Sequence, residues 1–140
     1  MGYRSDVVIG FAFKAKAQID EVMAVYRMDP RVQHNDLEAA WKISERDDVV
    51  FLYYAADYVK WYESFDDVQG LEYMRTLVNT FDEERGRGEG DLPLFPFAFR
   101  FIRIGDEDPD VETDASDNDM DLMEELWERM TLTREINTDF

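Results

Sequence analysis

The residues of this chain best suited to chemistry are carboxylates, and they crowd into one stretch. From 106 to 128 run twelve acids and no base: Asp106, Glu107, Asp108, Asp110, Glu112, Asp114, Asp117, Asp119, Asp121, Glu124, Glu125 and Glu128. The whole chain of 140 residues has 33 acids against 15 bases and a net charge of −18. Outside the stretch, 21 acids against 15 bases is an ordinary balance. The acidity is therefore local. A line of carboxylates can ligate a divalent cation, supply acid–base pairs to an enzyme, or present negative charge to a basic macromolecule.

The first two uses are poorly supported by spacing. Asp117, Asp119, Asp121 and Glu128 occupy positions 1, 3, 5 and 12 of an EF-hand loop. Position 6 is Leu122, where the sharp turn wants glycine. A metal-dependent enzyme would need carboxylates from different strands to converge on one pocket, which spacing alone does not indicate. His34, the only histidine, lies in a polar turn with no nearby cysteine or serine and reads as a surface residue. Asp66 and Asp67 resemble a catalytic pair, but the start of a helix accounts for both through the backbone dipole. Gly86, Gly88 and Gly90 spell G-R-G-E-G, neither a P-loop nor a dinucleotide fingerprint. No cysteine is present for a disulfide or a thiolate metal site. The expectation is a protein with no catalytic residue, no metal and no cofactor.

The third use fits better. Duplex DNA carries about one charge per 1.7 Å of axis. An extended chain advances about 3.3 Å per residue, so alternating acids would place a charge every 6–7 Å or so, nearer the phosphate spacing of a single strand. A homodimer would double the length of such a line. The same charge repels nucleic acid itself and anionic lipid. The partner expected is thus a basic, nucleic-acid-binding protein, reached through the twelve acids and Trp127. The plainer reading is a solvated loop that keeps the protein in solution.

The elements that position this segment follow from periodicity. With 45% hydrophobic and 14% aromatic residues, the chain can fill one core, and 1–140 reads as a single domain carrying an acidic segment at 106–128. Strands are expected near 6–13, 41–45, 49–55, 96–104 and 130–136, with a tight turn at Asp47-Asp48. Ile19, Val22, Met23 and Tyr26 predict a helix near 17–28. Val68, Leu71, Leu77, Val78 and Phe81 predict another near 66–84. The acidic segment reads as a loop to Asp119, then a short amphipathic helix through Leu122, Met123, Leu126 and Trp127, whose apolar face would anchor a partner. The core is expected to hold Val8, Phe11, Val22, Tyr26, Phe51, Leu71, Leu77, Val78, Phe99 and Ile136. Trp61 reads as core. This order predicts an α+β fold: a two-layer sandwich with a mixed or antiparallel sheet of about five strands, two helices on one face, ferredoxin-like order and an extra C-terminal strand.

Four short motifs carry a resemblance. Gly2-Tyr3-Arg4-Ser5-Asp6-Val7, Val59-Lys60-Trp61-Tyr62, Arg103-Ile104-Gly105-Asp106 and Thr133-Arg134-Glu135-Ile136 resemble, in that order, a group of small bacteriophage and prophage proteins without an assigned activity. The chain departs from the group in its acidic insert and in Glu135, where the others carry serine. The resemblance implies a phage origin and places any special role in the insert.

Neither a secretory signal nor an apolar run of membrane-spanning length is visible, so a cytoplasmic protein of the host bacterial cell is expected. The reading is a non-enzymatic acidic phage protein that binds a host protein, by DNA mimicry at a nucleic-acid-binding surface, and inhibits or modulates it. The alternative is a small phage regulatory or assembly protein whose acidic loop only solubilises it.

Overall fold

A computed structural model of the protein describes residues 2–107, 110–132 and 135–140. Its centre is β1 (Ser5–Phe13), an almost uninterrupted apolar run that is buried on both faces. α1 (Lys16–Tyr26) follows, then the single-turn α2 (Pro30–His34). Gln18 secures the start of α1: its Oε1 accepts the Lys14 and Ala15 backbone N–H groups, and its Nε2 donates to the Pro96 carbonyl. β2 (Lys42–Arg46) and β3 (Val49–Val59) form a hairpin. Asp47 and Asp48 at its turn both have positive φ, 50° and 67°, as the twist of a two-residue hairpin requires. α3 (Asp66–Arg85) starts with two acids and ends at Gly86, whose φ of 67° suits glycine. β4 (Phe97–Gly105) completes the expected framework.

All pairings in the main sheet are antiparallel, in the order β2-β3-β1-β4, which is the ferredoxin-like order, with β5 (Val111–Asp117) beyond β4. The fold is α+β. Two expectations about the acidic half need correction. Residues 111–117, expected as loop, are the fifth strand. Residues 130–136, expected as that strand, are not in the main sheet: β6 (Met130–Leu132) pairs with β7 (Ile136–Thr138) in a separate hairpin. Thr133 and Arg134 of this stretch lie outside the described residues.

Both faces of the sheet are covered. On one, Ile9, Phe11, Phe13, Leu52, Phe97, Phe99 and Phe101 meet α1 and α3. Here Tyr26 donates its hydroxyl to the Gly70 carbonyl at 2.9 Å and accepts from Trp41 Nε1 at 3.0 Å; burial pushes its pKa up to about 12. On the other face, Val8, Ala12, Phe51, Ala98 and Ile102 meet α4 (Met120–Arg129) and the β6–β7 hairpin. The expected two layers thus gain a third. Gly10 permits this close approach: a Cβ there would lie 2.5 Å from Met130 Sδ and 3.2 Å from Leu126 Cδ1. Nine of the ten expected core residues are buried; Ile136, in β7, is half-buried against the α4 layer.

Candidate protein-interaction face

The acidic stretch does not form a bare line of charge, because secondary structure sorts its side chains. In β5 alternate residues face opposite ways. Glu112 and Asp114 lie opposite Arg103 and Phe101 of β4, on the α3 side. There Arg103 Nε donates to Glu112 at 2.9 Å, and Arg75 of α3 reaches Asp114 at 2.5 Å while its guanidinium lies 4.3 Å from the Phe99 ring centroid. The Arg75 partner holds the Asp114 carboxyl below the usual carboxylate range. Asp110 forms a two-oxygen pair with Arg103 (2.8 and 3.0 Å) and accepts the Tyr3 hydroxyl at 2.7 Å. Its pKa is lowered, first by Arg103 and then by Tyr3. Asp106 accepts the Arg4 backbone N–H. These acids organise the chain's own edge.

Further along, Asp119 has two structural tasks. Its Oδ1 caps α4 by accepting the Leu122 N–H at 3.1 Å, and its Oδ2 lies 3.2 Å from Lys14 Nζ. Used in this way, it is ill placed to ligate calcium together with Asp117 and Asp121. Glu125 and Glu128 lie 3.7 and 4.0 Å from Arg129. Glu107, Asp117, Asp121 and Glu124 have no cation within ion-pair distance among the described residues, and Asp108 lies outside them.

The helix expected from Leu122 to Trp127 exists, but its apolar residues are not free to anchor a partner. Leu122 and Leu126 are fully buried against the sheet, and Met123 packs partly against the same cluster. What remains outward is Met120 (74% exposed), Trp127 (50% exposed) and the acids Asp121, Glu124 and Glu128. Asp121, Glu124, Glu125 and Glu128 span about 10.5 Å of helix axis. That is about one carboxylate per 3.5 Å, close to the roughly 3.4 Å per phosphate along one DNA strand.

Trp127 has a second role that the sequence did not suggest. The Arg100 guanidinium lies 3.3 Å from its ring centroid and donates to the Met130 carbonyl. Arg100 is only 5% exposed and has no carboxylate partner among the described residues; burial lowers its pKa. The indole face therefore serves as its counter-charge. The adjacent Arg129 reaches Asp139, which also pairs with Arg46 at 2.9 Å, while Phe140 stacks on Tyr53 at 4.2 Å. These contacts tie the last residues to the α4 layer.

Three of the quoted motifs meet at one end of the sheet, which sequence order alone could not indicate. The Tyr3 N–H donates to the Tyr62 hydroxyl, and the Tyr3 hydroxyl accepts the Glu107 N–H. Arg103 also donates to the buried Ser5 hydroxyl at 3.0 Å. Gly105 is enclosed by Tyr3 and Asp110 so closely that a Cβ would collide with both. Trp61 is half-buried and packs against the core beside Phe101. His34 is exposed at the end of α2. No described helix is long and apolar enough to cross a membrane. The chain matches no family model, no curated protein and no solved structure.

Proposed function

We propose that this chain is a non-enzymatic, protein-binding module that occupies a basic, nucleic-acid-binding surface of a host protein through the outer face of α4. The resemblance to phage proteins suggests the setting, the cytoplasm of an infected bacterium. The observation that carries the reading is the set of α4 acids left without a cation partner among the described residues. Asp121 and Glu124, extended by Glu128, share α4 with the exposed Met120 and Trp127, on a helix fixed by Leu122 and Leu126. Charge would speed encounter and align the partner; the two large side chains would supply contact area. A rigid helix also presents charge without the ordering cost of a loop.

A second reading rests on a different observation. β5 is an edge strand, and acids on an exposed edge discourage pairing with other chains. Apart from the pairs that Glu112 and Asp114 make with Arg103 and Arg75, the acids of β5 would then serve solubility. The two readings separate by substitution. Replacing Asp121, Glu124 and Glu128 with Asn or Gln leaves β5 untouched. Under the binding reading, proteins captured from host lysate at low salt are lost in this variant and are released from the parent protein by high salt. Capture that is unchanged by both treatments would leave only the solubilising role.

A further inference from the structure

We propose that the cavity between Arg4, just before β1, the end of β3 and the start of α3 binds a small organic anion carried on an aromatic ring. The cavity measures about 310 Å³ and is lined by Arg4, Lys60, Trp61, Tyr54, Phe65 and Asp67, among others. It lies on the α1–α3 side of the sheet, opposite the α4 face, and its use is independent of that face.

In a chain so rich in acid, a cation ordinarily finds a carboxylate. Lys14, Lys16, Arg27, Arg31, Arg46, Arg75, Arg85, Arg87, Arg103 and Arg129 all do. Among the described residues, Arg4, Lys42, Lys60 and Arg100 do not. Arg100 is served by Trp127 and Met130. Lys42 stands on the exposed β2 edge. Arg4 and Lys60 line the same cavity. Arg4 is half-buried, with its guanidinium 5.5 Å from the Tyr58 ring centroid, and its backbone N–H is fixed by Asp106. Lys60 is exposed like Lys42, but its stem packs against Gly2, where a Cβ would come within 2.9 Å of Cε, which holds it at the cavity mouth. Asp67 also lines the cavity; its Oδ1 accepts the Val68 N–H at 2.9 Å, and its negative charge is felt by the Tyr54 hydroxyl, so a bound anion must lie towards Arg4 and Lys60.

The walls set the rest of the ligand. Trp61 and Tyr54 lie with ring centroids 6.3 Å apart and planes inclined by 31°. Phe65 closes another side and is 39% exposed. Two cations without counter-ions beside aromatic faces suit a planar ring bearing a carboxylate or a phosphate. The volume falls at the lower end of small-molecule sites, about 300–1,000 Å³. This is the size of one or two fused rings with one charged group.

Isothermal titration of the full chain with four probes tests the assignment. Indole-3-carboxylate and indol-3-yl phosphate carry the same ring with an anion of each type; inorganic phosphate lacks the ring, and indole lacks the charge. At least one ring-bearing anion should bind with Kd below about 1 mM. Lys60→Gln and Arg4→Gln should each weaken it about tenfold, the loss of one charge-assisted contact. Lys60→Arg should retain it, and phosphate and indole should bind far more weakly. Which ring-bearing probe wins tells carboxylate from phosphate. The proposal is overturned if neither saturates by about 5 mM, a free energy near 3 kcal/mol. Parental affinity retained in both Gln variants overturns it too, as does phosphate or indole binding as tightly as the ring-bearing anion. Circular dichroism of each variant checks that the fold is kept.

Discussion

Leu126→Ala tests whether the helix carrying the acids is part of the folded core. Leu126 is fully buried among Val8, Ala12, Phe51, Ala98 and Ile102, with Leu122 and Met130 beside it. Part of what it covers is bare backbone, since Gly10 stands directly beneath its Cδ1. Backbone in a central strand does not relax into a void as a side chain would, so the cavity persists. Leu→Ala substitutions at such sites cost about 2–5 kcal/mol, and this one belongs in the upper half of that range. For a domain of this size, with total stability of about 5–15 kcal/mol, that is a large fraction. At about 2–4 °C per kcal/mol, the melting temperature should fall by roughly 10 °C. Urea unfolding followed by circular dichroism measures it, with Glu124→Gln as the control, expected within about 0.5 kcal/mol of the parent. A loss below about 1 kcal/mol for Leu126→Ala would refute the reasoning. α4 would then be a detachable element, and its acids would not sit on a fixed surface.

Three further outcomes follow from the same contacts. Trp127→Ala should destabilise the fold by about 1–2 kcal/mol in urea unfolding, because Arg100 loses its aromatic counter-charge; Trp127→Phe should lose less, and a neutral Trp127→Ala would remove that role. Gly105→Ala should cost about 1–3 kcal/mol by overpacking against Tyr3 and Asp110; unchanged stability would show that the motif cluster is loose. The pH dependence has two signs. Asp110, Asp114 and Asp139 have folded pKa values below their unfolded ones, so their contribution is present above about pH 4 and is lost as the pH falls through the folded values. The Glu72 carboxyl is raised, first by burial and then by Glu63 and Glu112. It therefore favours the fold most below its unfolded value, and that contribution is lost as the pH rises through its folded value. Melting temperature should rise modestly as the pH falls from 7 towards the ordinary carboxylate range, as Glu72 takes up its proton, then fall below about pH 4. A monotonic fall from pH 7 would contradict this.

Much of the fold was legible because its periodicities are strong. Phe97, Phe99 and Phe101 alternate with Ala98, Arg100 and Ile102, and Ile19, Val22, Met23 and Tyr26 mark one helix face. β1 also carried a signal about layers: Val7 and Val8, or Phe11 and Ala12, are apolar on both faces, which a sheet needs only when both faces are covered. β5 was not legible because Val111-Glu112-Thr113-Asp114-Ala115-Ser116-Asp117 is exposed on an edge, so no buried face imposes an apolar alternation. The alternation from Thr131 to Ile136 is real, but a hairpin and a sheet strand share that period. Leu122 and Leu126 reveal an apolar helix face without revealing what it meets, and here it meets the chain's own sheet. Within the acidic stretch, sequence gave the charge count. It could not assign Asp110, Glu112, Asp114 and Asp119 to internal partners, because Tyr3, Lys14, Arg75 and Arg103 are distant or unmarked in sequence.

The central claim is that the α4 acids occupy a surface that otherwise holds nucleic acid. Its most direct test is competition. A partner captured from host lysate and purified is bound to the chain, and duplex DNA is titrated in at fixed ionic strength near 0.15 M, where screening reaches about 8 Å. Binding should be mutually exclusive: DNA displaces the chain completely, and the variant neutralised at Asp121, Glu124 and Glu128 competes at least tenfold more weakly, about 1.4 kcal/mol. A ternary complex of partner, DNA and chain, or a neutralised variant that competes as well as the parent, would contradict it.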